Sequence, residues 1–249
     1  MKFSDHFSRQ SASYKNYRPD YPAALFTFLA EQAPSRNLAW DCATGNGQSA
    51  LGLAPYFTSI IATDASSNQI NNAVKLENIK YVVANAEKTI LQDGSVDLIT
   101  VAQAFHWFNS AKFYAEAKRV LKNRGIIAIW SYNLISISPN LDTVIADFYS
   151  TTLHGFWPEE RQLVENNYQG ISFPFRQITV PEFQMRAQWS FDHLIGYMGT
   201  WSAVQKYIKT NGIDPVAGCR AKLQAEWGDL TLVKDVSWPL TLIVGEHNF

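Results

Sequence analysis

The chain has only two cysteines in 249 residues, Cys42 and Cys219, too few for a disulfide framework or a thiolate metal cluster. Its five histidines, His6, His106, His154, His193 and His247, are scattered and have none of the spacing that a zinc site needs. An excess of charge of one sign is also missing. The net charge of −1 removes any general electrostatic case for nucleic acid. No segment reaches the roughly 18 consecutive apolar residues of a membrane span. The opening Met-Lys-Phe-Ser-Asp-His-Phe lacks the apolar core of a signal peptide, so no membrane partner and a cytoplasmic location are expected. There is no internal repeat and no low-complexity tract.

What is abundant is aromatic. The chain carries 8 Trp, 11 Tyr and 15 Phe, more than a core alone requires, at a length that suits one large domain with an elaborate insertion. Apolar runs near 38–41, 59–64, 79–84, 95–102 and 125–131 read as strands. Helical patterns lie between them near 47–56, 66–76, 86–90 and 109–122. Runs such as Ile126-Ile127-Ala128-Ile129 are continuous rather than alternating, which marks a parallel sheet buried on both faces. Lys118, Arg119, Lys122 and Arg124 suit a helix C-terminus, and Gly125 reads as its capping glycine. After Tyr132 the rhythm breaks. Residues 141–165 look helical, 176–191 extended and 192–227 helical again. A last strand, Pro239 to Glu246, most simply rejoins the sheet, leaving the excursion over the carboxyl ends of the strands.

The stretch Leu38-Ala-Trp-Asp-Cys-Ala-Thr-Gly-Asn-Gly47 carries the chemistry. A strand ends in Asp41, a small-residue loop holds Gly45 and Gly47, and a helical pattern follows. The next strand ends in Asp64, 23 residues after Asp41. Glycines let backbone approach a ligand closely, and an acid closing the second strand can accept from both hydroxyls of a ribose. An adenosine-containing cofactor is therefore expected. Gly45-x-Gly47-x-x-Ala50 matches the dinucleotide fingerprint, but three features pull away from NAD. Asp41 stands at the mouth of the loop, where it would repel a pyrophosphate and attract an amino group. Asn85-Ala86-Glu87 closes the third strand as a polar cluster. Gln103-Ala-Phe-His106-Trp107-Phe108 closes the fourth as an aromatic wall. Cys42 reads as packing.

Together these residues resemble a class I S-adenosylmethionine-dependent methyltransferase: Asp41-x-x-Thr44-Gly45-x-Gly47-Gln48, Asp64, Ala86-Glu87, Ser95-Val-Asp-Leu98, Ala102-Gln-Ala-x-His-Trp-Phe108 and Arg119-Val-Leu-Lys-x-x-Gly125. Tyr14-x-x-Tyr17-Arg18-Pro19-x-Tyr21-Pro22, Thr200-Trp201-Ser202-Ala203 and Trp238-Pro239-Leu240 are similar to the small-molecule group containing trans-aconitate methyltransferase. Ala43 departs from the glycine usual at that position.

The resemblance implies a three-layer Rossmann-like α/β fold. Its mainly parallel seven-stranded sheet has an antiparallel last strand and a substrate-covering insertion. The expected organisation is an N-terminal lid and helix over 1–35, a cofactor core over 36–132, and insertion with closing strands over 133–249. It also implies S-adenosylmethionine as cofactor, a small-molecule methyl acceptor, and a monomer or homodimer. The backbone at Ala43, Thr44, Gly45 and Gly47 would pass the methionine, with Asp41 nearby. Asp64 would hold the ribose, Ala65 and Gln69 would line the adenosine, and Ala86 and Glu87 would contact adenine. Gln103 would hold the amino group, and Tyr14 and Arg18 would reach over the cofactor. His106 is the candidate catalytic residue, and it lines the acceptor pocket with Tyr17, Trp107, Trp130 and Trp201. Bland readings stand beside these: Glu87 as a helix N-terminal charge, His106 as a core histidine, and the tryptophans as packing. The acceptor tilts toward an oxygen of a small acid. An NAD-dependent oxidoreductase and a non-catalytic cofactor-binding protein are the alternatives.

Overall fold

The computed structural model describes residues 17–248. The sheet has strand order β3-β2-β1-β4-β5-β8-β6. β1 (Leu38–Cys42), β2 (Ser59–Asp64), β3 (Ile79–Val83), β4 (Val96–Ala102) and β5 (Leu121–Tyr132) run parallel. The 13-residue β8 (Lys234–Glu246) is antiparallel to β5, from Tyr132 opposite Leu240 to Ile126 opposite Glu246. β6 (Arg176–Gln177) and β7 (Gln184–Trp189) both pair with β8. β4 is buried at every position but its last, as its continuous apolar run requires, whereas the edge strand β3 is fully buried only at Ile79.

One cluster, with Trp40, Ile99, Phe105 and Phe113, packs together with the helix α4 (Ser110–Val120). Another, with Leu25, Phe26, Leu53 and Trp130, joins the helices α1 (Ala23–Gln32) and α2 (Gln48–Leu53) to the sheet. A third cluster belongs to the excursion. It gathers α5 (Pro139–Asp147), α7 (Phe191–Gly199), α8 (Ser202–Asn211) and α9 (Pro215–Trp227) around Leu141, Met185, Leu194 and Trp238.

Local signals start the helices. Asn109 Oδ1 accepts from Lys112 N at 3.1 Å at the head of α4. Ser66 Oγ accepts from Gln69 N at 3.4 Å at the head of the short α3 (Ser67–Asn71). Asp214 and Pro215 open α9.

Several expectations fail in detail. No helix forms over 86–90, where a bridge between Asn85 and Lys88 closes a turn instead. The 141–165 pattern splits into α5, a π-helical turn over Phe148–Thr152, a 3₁₀ turn over Glu159–Arg161, and α6 (Gln162–Glu165). The extended stretch holds strand only at 176–177 and 184–189. Gly125 does not cap α4. The chain passes from Val120 straight into β5, and Arg124 (φ +64°) makes the left-handed turn. Gly125 lies inside the strand, where a Cβ would crowd a Leu121 methyl and the Lys122 carbonyl, each at 2.9 Å. The glycine answers to close packing, not to a cap.

The amino ends of β1, β4 and β5 are held by one buried carboxylate. Asp97 accepts from Ser35 Oγ (2.6 Å), Asn37 N (3.1 Å), Leu38 N (2.9 Å) and Lys122 Nζ (2.6 Å). Replacing it strands two backbone amides and a half-buried ammonium. Asp97→Ala should therefore lower the unfolding free energy by about 3 kcal/mol. Urea denaturation measures it, and an unchanged midpoint would show that Asp97 is dispensable.

Candidate active site

Strand order reverses between β1 and β4, and the loops at their carboxyl ends converge there. The loop after β1 is a sequence of left-handed residues: Ala43 (φ +53°), Gly45 (φ +58°) and Gly47 (φ +92°). Glycine adopts this region freely, whereas alanine pays roughly 1–2 kcal/mol. At Gly47 a side chain would also overlap the Tyr81 hydroxyl, whereas the space over Gly45 is open. Thr44 N donates to Thr63 O at 2.8 Å and ties the loop to β2.

Two acids frame this loop. Asp64 is partly exposed, and its Oδ2 accepts from Gly45 N (2.9 Å) while its Oδ1 accepts from Ser66 N (2.8 Å). Asp41 lies beneath, with no exposed surface. It accepts from Thr44 Oγ1 and from Thr100 Oγ1 (2.8 Å). Burial pushes its carboxyl up to about 6, against the pull of those hydrogen bonds. Cys42 is fully buried and its thiol is pushed up, first by burial and then by Asp41, as suits packing.

Beyond β3, Ala86 is buried. Glu87 Oε1 accepts from Asn109 N at 3.0 Å, so this carboxylate stands at the N-terminus of α4. The bland reading of Glu87 finds support here, with a different helix. Ala65 follows Asp64 directly, and Gln69 lies half-buried on α3.

Gln103, just past β4, also has positive φ (+53°), a conformation uncommon outside glycine and asparagine. Its Nε2 donates to Tyr132 O at 3.0 Å, while its Oε1 is buried with no partner. A cavity opens beside it. Its lining includes Arg18, Gln103, His106, Tyr132, Asn133 and Arg161, with Trp107 and Trp157. Tyr197, Trp201 and Ser202 close it from α7 and α8. Arg18 Nη1 donates to Tyr132 Oη at 3.1 Å, and its guanidinium lies 5.0 Å from the Tyr197 ring centre. Gln48 Nε2 donates to Pro19 O at 2.6 Å, so the segment carrying Arg18 is tied to the head of α2.

His106 is buried, with Nδ1 3.3 Å from Tyr168 Oη. Burial first, and the Arg161 charge second, lower its pKa to about 3, so the imidazole is neutral near pH 7.

Of the sequence-selected acceptor residues, His106, Trp107 and Trp201 line this cavity. Two do not. Trp130 is fully buried against Phe26 and Tyr21, and Tyr17 packs on Gly196 and His193 of α7. Tyr14 lies outside the described residues. Arg161, Asn133, Tyr132 and Tyr197 were not anticipated. Arg161 sits in a stretch whose apolar spacing reads only as a helix face.

The chain is similar to known proteins. Residues 40–129 match the family model described as "Methyltransferase domain". A Dictyostelium discoideum protein with a provisional methyltransferase name is 37% identical, over 98% of this chain and 96% of its own. A solved structure from Anaeromyxobacter dehalogenans, provisionally described as a type II methyltransferase, shares 39% identity. It superposes with a TM-score of 0.87 over 92% of this chain and 98% of its own. A Saccharomyces cerevisiae protein provisionally described as an S-adenosylmethionine-dependent methyltransferase is 30% identical, over 49% of this chain and 45% of its own.

The buried Asp41 makes stability pH-dependent with a definite sign. Its folded value of about 6 exceeds the ordinary 3.8, so the folded chain binds the proton more tightly. Its contribution is most favourable below about pH 4 and is lost as pH rises through 6, a change of about 3 kcal/mol. The unfolding free energy of wild type minus that of Asp41→Asn should fall by that order between pH 4 and 7 without ligand. A pH-independent difference would contradict the buried, raised carboxyl.

Proposed function

The chain belongs to the S-adenosylmethionine-dependent methyltransferases, and on that premise we propose that it carries the methyl group to an oxygen of a small carboxylic acid. That membership sets the nicotinamide alternative aside. We read 36–132 as the cofactor core and 133–249 as the acceptor-covering insertion with its closing strands; of the lid and helix expected over 1–35, residues 1–16 lie outside the described residues.

The residues fit the cofactor. Asp64 accepts from the two ribose hydroxyls while its backbone partners keep it in place. The open space over Gly45 admits the ligand against the loop backbone. The unpartnered Gln103 Oε1 and the nearby backbone take the amino group, and Arg18 takes the carboxylate. Asp41, below the loop, favours positive charge there. Ala43, Thr44 and Gly47 shape the backbone, while Ala65, Gln69, Ala86 and Glu87 stand around the adenosine. Bound in this cleft, S-adenosylmethionine supplies an electrophilic methyl group on a sulfonium.

The observation that carries the acceptor reading is a neutral, buried His106 in a cavity that also holds Arg18 and Arg161. A phenol, an ammonium or a carbon acid must lose a proton, and a histidine with so low a pKa is a poor base. A carboxylate oxygen has no proton to lose. Its attack needs only alignment with the methyl carbon and sulfur, for which Trp107, Trp157 and Trp201 offer flat walls in the cavity. His106 then orients the acceptor by hydrogen bonding rather than by taking a proton. The motif similarity to the trans-aconitate methyltransferase group points the same way.

S-Adenosylhomocysteine should raise the melting temperature, and NAD should not. Asp64→Ala should weaken S-adenosylhomocysteine at least tenfold, the scale of one lost charge-assisted hydrogen bond. Calorimetry showing undiminished affinity would remove Asp64 from the ribose. With methyl-labelled cofactor and a panel of small acids, phenols and amines, label should appear as base-labile ester. Label found only on phenols or amines would overturn the acid acceptor.

A further inference from the structure

We propose that Arg161 selects the acceptor by holding an acidic group of it against an aromatic shelf made by Trp157 and Tyr149. The identity of that ligand as the methyl acceptor rests on the reading above; the anion site itself rests on the geometry alone.

Tyr149 and Trp157 stack with centroids 4.3 Å apart at 27°, and Trp157 Nε1 donates to Tyr149 O at 3.1 Å. Arg161 lies over this pair, its guanidinium carbon 4.7 Å from the Trp157 ring centre and 5.5 Å from that of Tyr149. Its Nε donates to Tyr149 Oη at 2.6 Å, and Tyr149 Oη in turn donates to Glu165. One of the five guanidinium donors thus fixes the side chain, and the ring faces fix its plane.

The other four donors, on Nη1 and Nη2, have no partner among the described residues. No carboxylate there lies within ion-pair distance of Arg161, in contrast to Arg119, which pairs with Asp93 and Glu116, and to Arg176 and Arg220, which each have one. Glu165 reaches Arg161 only through the Tyr149 hydroxyl. An arginine stacked on aromatic rings, anchored at Nε, and lining a cavity with its outer fork unpaired is arranged for bidentate capture of a carboxylate. Its charge is felt inside the cavity, where it helps keep His106 neutral. An ordinary solvated surface arginine would not have the two-ring stack.

The anchor also has a chemical requirement. An oxygen paired with a guanidinium is a weaker nucleophile, so the fork is suited to orientation and not to the reacting oxygen itself.

The test titrates S-adenosylhomocysteine-loaded protein with benzoate, phenylacetate and malonate, and with the corresponding amides. Wild type should bind carboxylates at least tenfold more tightly than amides. Arg161→Gln should lose roughly 10- to 100-fold for carboxylates, with amides and S-adenosylhomocysteine unchanged within about twofold. Arg161→Lys should restore part of the loss, since it returns the charge without the fork. Tyr149→Phe, which removes only the hydroxyl that holds Nε, should lose less than Arg161→Gln. In turnover the loss should appear in KM and not in kcat. Equal carboxylate affinity in wild type and Arg161→Gln would overturn the assignment. So would an absence of carboxylate binding by the loaded wild type, or a matching loss of S-adenosylhomocysteine affinity. The two proposals fail separately. An ester product with a KM indifferent to Arg161 removes the anchor alone. A phenol or amine product, with carboxylate binding still dependent on Arg161, removes the acid acceptor alone.

Discussion

Three residues within five positions at the end of β1 stand in the left-handed region, and the candidate site takes its shape from how that turn is held. Of the three, Ala43 is the residue that could not keep this conformation unaided. The turn is pinned on one side by Thr44 N to Thr63 O and on the other by Gly45 N to the Asp64 carboxylate. Asp41, Thr44 and Thr100 close it from below. Each buried hydrogen bond contributes about 1 kcal/mol. Together they exceed the strain of one alanine at positive φ. The same bonds orient Asp64 and start α2, whose first residue, Gln48, holds Pro19 next to Arg18. Loop, acid and clamp are therefore one connected arrangement.

The two ends of the sheet treat buried carboxylates in opposite ways. At the amino ends Asp97 meets a cation, a hydroxyl and two backbone amides. At the carboxyl ends Asp41 meets mainly hydroxyls, and its carboxyl is raised to about 6. The first arrangement secures the fold. The second leaves a buried acid whose ionised form gains from a nearby positive charge, below the loop where methyl transfer would bring an ammonium and a sulfonium.

The sheet was legible because burial on both faces writes continuous apolar runs into β1, β2, β4 and β5. Asp41, Asp64, Gln103 and His106 were legible because strand ends are fixed points in the chain. The lining of the neighbouring cavity was not. Arg161 depends on a π-helical turn and a 3₁₀ turn that break what reads as one amphipathic helix, so its partnership with Tyr149 and Trp157 has no periodic signature. The resemblance implied Trp130 in the pocket wall, but alternation along β5 turns its indole into the core. Gly125 looked like a cap because it follows a basic helix end, and close packing of the strand explains it instead.

The most direct test of the account is a crystal structure of the protein with S-adenosylhomocysteine bound. Both ribose hydroxyls should lie within hydrogen-bonding distance of the Asp64 carboxylate. The amino acid end should pass over Gly45 toward Gln103 and Arg18, with the sulfur facing the cavity lined by His106 and Arg161. A ligand seated elsewhere, or a ribose turned away from Asp64, would contradict the central claim that the pinned left-handed turn builds the cofactor site.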